Sequence, residues 1–162
     1  MVNTPLSPIN VIDGASVRGH NGLYVLGCYD DRITFYSQQV RAIALIHALA
    51  EQEHLRNNPR IAVVGGGAAG TAAAAAAALA CNGEVVIFEA ASDLLKLQMG
   101  TDRRKLDPHL YNWPQSNSDD PVADLPILGW DAGASTEVRS EVVRQFEEIC
   151  GRAENLVQKK TP

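Results

Sequence analysis

The chain has 162 residues and a formal charge of −5 at pH 7, and 46% of its residues are hydrophobic. This length predicts one domain of ordinary size, which buries about two thirds of the surface that the unfolded chain exposes. The excess of acidic over basic residues argues against a protein that binds nucleic acid or anionic membranes non-specifically. The first ten residues lack a basic start and a long apolar run, so they do not resemble a signal peptide, and we expect a cytoplasmic location.

The sequence divides into three predicted segments, 1–58, 59–151 and 152–162. Within the first, prolines and turn residues in 1–20 indicate an extended arm with at most one short strand, and 23–26 predicts a strand before a turn at 28–31. From 34 to 55, apolar residues recur at helical spacing around most of the axis, so we expect a largely covered helix. His47 lies in it, and a lone histidine there is more often a hydrogen-bonded core or interface residue than a catalytic one.

Residues 60–90 are the centre of the chain. Residues 61–64 form an uninterrupted apolar run, which is typical of a strand buried on both faces of a parallel sheet. Residues 65–70 read G-x-G-x-x-G, and the alanine-rich run 71–81 predicts a helix that stops at Asn82-Gly83. Residues 85–88 predict a second buried strand, which Glu89 closes. This order predicts a βαβ unit.

The glycine turn, residues 65–70, has the residue types that a dinucleotide needs. Gly65 permits a tight turn, Gly67 lets the backbone approach a pyrophosphate, and Gly70 lets the helix pack closely on the strand. The pyrophosphate would sit on free N–H groups at the start of the helix, where the helix dipole attracts it. The Glu89 carboxylate can accept hydrogen bonds from two ribose hydroxyls, and it would repel a 2′-phosphate, so NADP is the least favoured ligand.

These residues resemble the N-terminal dinucleotide fold of FAD-dependent oxidoreductases with two dinucleotide-binding domains. That family includes the pyridine nucleotide-disulfide reductases and the flavin monooxygenases. In it the pattern extends to a small residue, here Ala74, an apolar residue, here Ala77, and apolar-x-apolar-Glu, here 86–89. The resemblance implies that the adenosine half of FAD lies on the turn, with Glu89 on its ribose. The implied cofactor-binding residues are Gly65, Gly66, Gly67, Ala68, Ala69, Gly70, Glu89 and Ala90.

A basic cluster, residues 103–105, follows a short helix that is predicted at 94–99 and that Gly100 ends. Two interpretations are open for this cluster. It is either a solvated loop, or one of its arginines, which we assign as Arg104, crosses over the dinucleotide and meets the pyrophosphate. A bidentate guanidinium is well shaped for that contact.

Residues 107–114 place prolines around three ring side chains. The rings either contact a ligand by stacking, or Tyr111 and Trp113 pin a long loop to the body of the protein. The stretch resembles an H-P-x-x-Y-x-W-P loop that some FAD/NAD(P)-binding oxidoreductases carry after the second strand. Asp107 stands where that loop has its histidine, so no role of that histidine can be carried over to this chain.

The remaining residues give weaker predictions. Residues 115–124 are polar and predict a flexible segment, and 152–162 predict a frayed tail. A helix is predicted at 135–150, capped by Ser135 or Thr136. The three cysteines are too far apart in the sequence to form a redox pair, so dithiol chemistry is not expected. In the helix predicted at 135–150, the apolar face is formed by Val138, Val142, Phe146 and Ile149.

The predicted fold class is α/β, a Rossmann-like βαβ with a parallel sheet and an N-terminal strand-helix extension. The resemblance implies a third parallel strand, a second nucleotide domain and a late Gly-Asp element, none of which the sequence shows. We therefore expect a partner chain or a homo-oligomer to complete the fold. The chain would be one subunit of a split enzyme, a reduced binding module or a piece of a longer protein.

The functional expectation follows from the resemblance. The chain is expected to be the FAD-binding portion of an oxidoreductase-like flavoprotein, which acts with a partner in NAD(P)H-linked redox chemistry. The alternative is a non-catalytic module that binds FAD or NAD or serves in assembly. No acid-base pair, nucleophile constellation or metal cluster is recognisable, so the catalytic residues stay unassigned and no metal is expected.

Overall fold

The computed structural model describes residues 7–26, 33–100, 102–116, 118–153 and 157–160. Four helices, seven short strands and one 3-10 turn make up this part of the chain. In chain order they are α1 (Pro8–Ala15), α2 (Phe35–Glu51), β1 (Arg60–Val64), α3 (Ala68–Ala80), β2 (Glu84–Phe88), the 3-10 turn (Lys96–Gln98), β3 (Lys105–Leu106), β4 (Val122–Ala123), β5 (Trp130–Asp131), β6 (Gly133–Ala134), α4 (Ser135–Arg152) and β7 (Val157–Lys160).

A parallel sheet with strand order β1-β2-β7 forms the centre of the fold. Val64 of β1 pairs with Phe88 of β2, and Phe88 pairs with Lys160 of β7, so the carboxyl ends of all three strands lie along one edge. The α/β class and the parallel β1-α3-β2 unit are confirmed. The prediction of a frayed tail is wrong for residues 157–160, because they form the third parallel strand.

The alanine-rich helix α3 is buried on nearly all sides. It packs on β1 and β2 of the sheet, and α2 and α4 pack on it. Side chains as small as alanine let backbones approach closely in every direction, which explains a helix without a polar face. Val85 and Ile87 of β2 are fully buried beneath it, and burial of side chains of this size stabilises the fold by roughly 1.5–3 kcal/mol each.

The other face of the sheet is open. Val64 of β1 is 86% exposed and Phe88 of β2 is 43% exposed. Ala62, two residues before Val64 on the same face of β1, is exposed as well. The prediction that β1 is buried on both faces is therefore wrong, because β1 is an edge strand with helices on one side only. We call this surface the open sheet face. It is formed by Arg60, Ala62, Val64, Glu84 and Phe88 around Val86, which is itself only 8% exposed.

The N-terminal arm predicted for residues 1–20 contains a helix instead. α1 begins after Ser7, whose hydroxyl accepts a hydrogen bond from the Asn10 amide at 3.3 Å. Pro8 occupies the first helical position, where its missing N–H costs nothing. A serine cap followed by proline is a strong helix start, and here it outweighs the short apolar run 9–12 that suggested a strand.

The predicted strand at 23–26 is also wrong, since only one bridge forms there, between Ser16 and Tyr24. The turn predicted at 28–31 lies outside the described residues. The long apolar helix is confirmed as α2, which Thr34 caps. His47 is 72% exposed beside Glu51, with 3.7 Å between its Nδ1 and Oε2 of Glu51. It is therefore not a core residue, and a place in an interface stays a prediction.

Helix α4 is confirmed, but neither predicted hydroxyl caps it. Ser135 is fully buried, and its Oγ is without a hydrogen-bond partner among the described residues. The hydroxyl of Thr136 donates to Asp102 at 2.6 Å. The Glu137 carboxylate reaches back instead and accepts from the Ala134 amide at 3.2 Å, so an acidic residue in the first turn stabilises this helix start.

A buried polar contact ties α2 to the segment before α4. The indole Nε1 of Trp130 donates to Gln39 Oε1 at 2.7 Å, and Gln39 Nε2 donates to the Leu128 carbonyl at 3.1 Å. The predicted flexible segment 115–124 is partly ordered here, because β4 pairs antiparallel with β5. The contact fixes the connection between the sheet and α4.

Candidate functional site

The glycine turn lies at the carboxyl edge of the sheet, between β1 and α3. Gly65 has a φ of +98°, which favours glycine. A Cβ at Gly70 would lie 1.8 Å from the Gly65 carbonyl oxygen, and a Cβ at Gly66 would lie 2.6 Å from the Leu94 side chain. A Cβ at Gly67 would meet nothing within 4 Å. The backbone conformation therefore favours glycine at position 65, packing requires it at position 70, and a Cβ at position 66 would displace the Leu94 side chain. Gly67 borders open space.

Helix α3 begins three residues earlier than the sequence indicated, directly at the turn. Gly67 is its N-cap, and in the described chain no side chain caps this end. The Thr71 amide is the first to bond within the helix, to the Gly67 carbonyl at 2.9 Å. The amides of residues 68–70 precede it and have no helical acceptor, so they make this end attractive for an anion.

The structure brings Glu89 to the glycine turn. Its Oε2 accepts a hydrogen bond from the Gly66 amide at 2.5 Å, and its Oε1 accepts one from the Ala91 amide at 2.7 Å. The carboxylate is half-buried, and Ala90 beside it is exposed. A carboxylate is an acceptor of the kind that ribose hydroxyls would need.

The segment 89–95 covers the middle of the turn. The Leu95 amide donates to the Gly66 carbonyl at 2.8 Å, and the Thr71 hydroxyl donates to the same oxygen at 3.2 Å. Leu95 is buried with a φ of +54°, and the helix predicted at 94–99 shortens to the 3-10 turn. Gly66 is therefore engaged by the protein itself, while the free side of the turn is at Gly67.

Arg104 is not brought to the turn by any described contact. Its side chain is exposed, and its carbonyl accepts a hydrogen bond from the Ser135 amide at 2.8 Å. The arginine that contacts the segment over the turn is Arg139 of α4, whose Nε donates to the Leu94 carbonyl at 3.2 Å. The sequence did not single out Arg139. The sequence offered one weak sign of its role: Arg139 is a cationic residue about one turn into the predicted helix, next to the apolar Val138.

The ring loop, residues 107–114, is held by His109. Its Nε2 bonds to the Val122 carbonyl at 3.1 Å, and its Nδ1 bonds to the Asn112 side chain at 3.0 Å. The ring packs edge-on against Tyr36, with 5.4 Å between centroids. The Asp107 carboxylate accepts from the His109 amide at 2.7 Å. Both ring nitrogens are thus occupied, which favours a structural role for this histidine.

The other rings of this loop face solvent. Trp113 is 79% exposed and Tyr111 is 53% exposed, and Leu110 between His109 and Tyr111 is 61% exposed. The interpretation that Trp113 pins the loop is therefore wrong, since His109 does so. The exposed rings stay candidates for contact with a ligand or a partner.

Two cysteines are described, and both are free thiols. Burial raises the pKa of the Cys150 thiol, and the nearby Glu147 carboxylate adds to this. A thiol with a raised pKa is a weak nucleophile at neutral pH, so Cys150 is unsuited to thiolate chemistry. Cys28 lies outside the described residues.

Other parts of the described chain offer little for a dinucleotide. No three side chains of His, Cys, Asp or Glu in it are placed to hold a metal ion. No helix in it is both long and apolar enough to cross a membrane. A shallow depression between 55–58 and 79–82 lies at the carboxyl end of α3, where the negative end of the helix dipole disfavours an anion.

Comparison of the chain with protein-family models, with curated proteins and with solved structures gave no match. We therefore infer function from the geometry of the glycine turn and from the resemblance described above.

Proposed function

We propose that the chain binds the ADP half of an adenine dinucleotide at the glycine turn, and that this dinucleotide is FAD. The free space at Gly67, beside the uncapped start of α3, is the observation that carries the proposal. A β-carbon there would fill the space without disturbing the fold, so packing alone does not account for glycine at this position. A phosphate that approaches the backbone does account for it.

The same site supports the contacts with the rest of the ADP group. The amides of Gly67, Ala68 and Ala69 would bind a phosphate, and Glu89 would accept hydrogen bonds from the ribose hydroxyls. NAD shares this group with FAD and is the alternative ligand. NADP is disfavoured, because its 2′-phosphate would lie against the Glu89 carboxylate.

The role in redox chemistry depends on the resemblance to FAD-dependent oxidoreductases. A bound flavin would supply hydride and electron transfer with a reduced nicotinamide. The contribution of this chain would be to bind and orient the cofactor through the glycine turn and Glu89. The remainder of the flavin site would come from a partner chain or a second copy, and the exposed apolar residues of the open sheet face support such a contact.

A second function, a non-catalytic nucleotide-dependent assembly module, is favoured by the exposed ring loop. Trp113 and Tyr111 stand out from a loop that His109 holds rigidly. Aromatic side chains presented in this way are typical centres of protein interfaces. In this case the dinucleotide would control binding of another protein, without turnover.

The test is the absorption spectrum of the purified protein, followed by calorimetric titration with FAD, NAD⁺ and NADP⁺. We expect FAD to bind most tightly and NADP⁺ least tightly. A folded protein that binds none of the three would overturn the proposal. Binding of NAD⁺ without FAD would favour the assembly module.

Glu89→Gln tests the ribose contact. The change removes the charge and one acceptor oxygen, so we expect the Kd for FAD and NAD⁺ to rise about tenfold or more. Glu84→Gln is the control, because Glu84 lies at the other end of β2 and pairs with Arg60 at 3.1 Å. Circular dichroism of both variants establishes that they fold. Wild-type affinity in folded Glu89→Gln would exclude Glu89 from the site.

A further inference from the structure

We propose that Arg139 is the cation that binds the diphosphate of the ligand at the glycine turn. The inference rests on the proposed function and deepens it, since it assigns a charge contact and specifies a diphosphate as the group recognised. Arg139 would be a binding residue, and it would replace Arg104 in the role that the sequence suggested.

Two hydrogen bonds connect Arg139 to the turn. Its Nε donates to the Leu94 carbonyl at 3.2 Å, and the next amide, that of Leu95, donates to the Gly66 carbonyl at 2.8 Å. These two bonds and the peptide group between them keep Nε within about 9 Å of the Gly66 oxygen. This bound places the guanidinium beside the segment that covers the turn, and on our proposal its terminal nitrogens extend from there to a diphosphate at Gly67.

Among the described residues, Arg139 has no counter-ion. The side chain is half-buried, and no carboxylate of the described residues lies within ion-pair distance of it. Arg144 on the same helix is more exposed, yet it pairs with both Glu141 and Glu148. A partly desolvated guanidinium without a counter-ion attracts an anion more strongly than a paired one does.

The site would then hold opposite charges in a defined order. The positive end of α3 and Arg139 would lie on the diphosphate, and the Glu89 carboxylate would lie on the ribose. A guanidinium that bonds through Nε to Leu94 keeps both terminal nitrogens available for phosphate oxygens. This arrangement favours ADP over AMP, because the second phosphate gains the contact with the cation.

The experiment measures the affinity of ADP by calorimetry in wild-type protein, Arg139→Gln, Arg139→Lys, Arg104→Gln and Arg144→Gln. We expect Arg139→Gln to raise the Kd about ten- to a hundredfold, and Arg139→Lys to recover part of the loss. Arg144→Gln is the matched control on the same helix, and Arg104→Gln tests the earlier assignment. Both should bind ADP as the wild type does.

The salt dependence of ADP affinity separates charge recognition from a structural role. We expect a smaller dependence in Arg139→Gln, because one charge contact with phosphate is gone. An unchanged salt dependence would mean that the variant only loosens the segment over the turn, and this would overturn the inference. Wild-type affinity in Arg139→Gln, or a larger loss in Arg104→Gln, would overturn it as well. Wild-type protein that does not bind ADP would refute the proposed function itself.

Discussion

At the scale of single residues, the glycines of the turn have different tasks. Gly65 adopts a φ of +98°, and Gly66 and Gly70 have neighbours within 2.6 Å and 1.8 Å of where a Cβ would be. These three are needed by the fold. Gly67 borders free space and is needed, on our proposal, by the ligand. Substitution can therefore separate folding from binding within a single turn.

Gly67→Ala should fold and fail to bind. We expect its free energy of unfolding to fall by no more than about 1 kcal/mol, because alanine is a poorer N-cap than glycine but meets no steric conflict at this position. The Kd for ADP should rise at least about tenfold, since the new methyl group occupies the space of the phosphate. Urea unfolding and calorimetry measure the two quantities.

Two further variants complete this comparison. Gly70→Ala should lose about 1–3 kcal/mol or more of unfolding free energy, because the methyl group collides with the Gly65 carbonyl. Gly151→Ala is the control in α4, where a Cβ has free space. Unchanged ADP affinity in Gly67→Ala would show that the space at this position is not used.

The glycine turn and Glu89 could be predicted from the sequence because strand, turn and helix follow each other directly along the chain. Such a short path leaves little freedom in where the side chains lie. Arg139 could not be predicted in this way, because it is 45 residues from its contact at Leu94.

The sequence did assign Gly67 to the approach of a pyrophosphate, and it gave Gly65 and Gly70 their roles in the turn and in packing. It did not predict the close approach of Leu94 to Gly66, because that contact depends on how the segment 89–95 folds over the turn.

At the scale of elements, periodic patterns predicted the long segments and failed on the short ones. α2 was found because its apolar residues recur at helical spacing, and β2 was found because it is an uninterrupted apolar run. β7, with the sequence Val-Gln-Lys-Lys, lacks an apolar pattern and exists through pairing with β2. α1 was missed because its start depends on Ser7 as the N-cap and Pro8 as the first helical residue, and both residue types are also typical of turns.

The contact between α2 and β5 gives an element-scale prediction. Gln39→Ala would leave the Trp130 indole N–H and the Leu128 carbonyl buried without a partner. We expect a loss of about 2–4 kcal/mol in the free energy of unfolding, measured by urea denaturation and far-ultraviolet circular dichroism. Gln38→Ala is the control at the neighbouring position. A loss below about 1 kcal/mol would mean that water replaces Gln39.

At the scale of the whole molecule, helices pack on one face of the parallel sheet, and no helix of the described chain covers the other face, where Val64 and Phe88 are exposed. The sequence predicted two buried strands, which is typical of parallel sheets. This holds for Val85, Val86 and Ile87 of β2, but one face of β1 is exposed. Apolar composition cannot tell which face is covered, because Val64 and Val85 are the same residue type with 86% and 0% exposure. The arrangement of helices decides this, and it depends on long-range packing.

Self-association through the open sheet face is the corresponding prediction. We expect light scattering after size exclusion to give more than the monomer mass for the wild type and the monomer mass for Val64→Lys. The free-energy cost of burying the lysine charge against an apolar partner exceeds what the contacts at this position would contribute to association. Val122→Lys is the control at a 42% exposed valine outside this sheet. A monomeric wild type would leave a different chain as the partner.

The positions of the two tryptophans have a practical consequence for fluorescence. Trp113 is 79% exposed and Trp130 is 4% exposed, and the chain contains no others. Acrylamide should therefore quench the emission of Trp113 and spare that of Trp130. Changes at the long-wavelength side of the emission spectrum report on the exposed Trp113 of the ring loop. Changes at the short-wavelength side report on the buried Trp130 of the core. In Trp113→Phe, the remaining indole is a single-site reporter of unfolding.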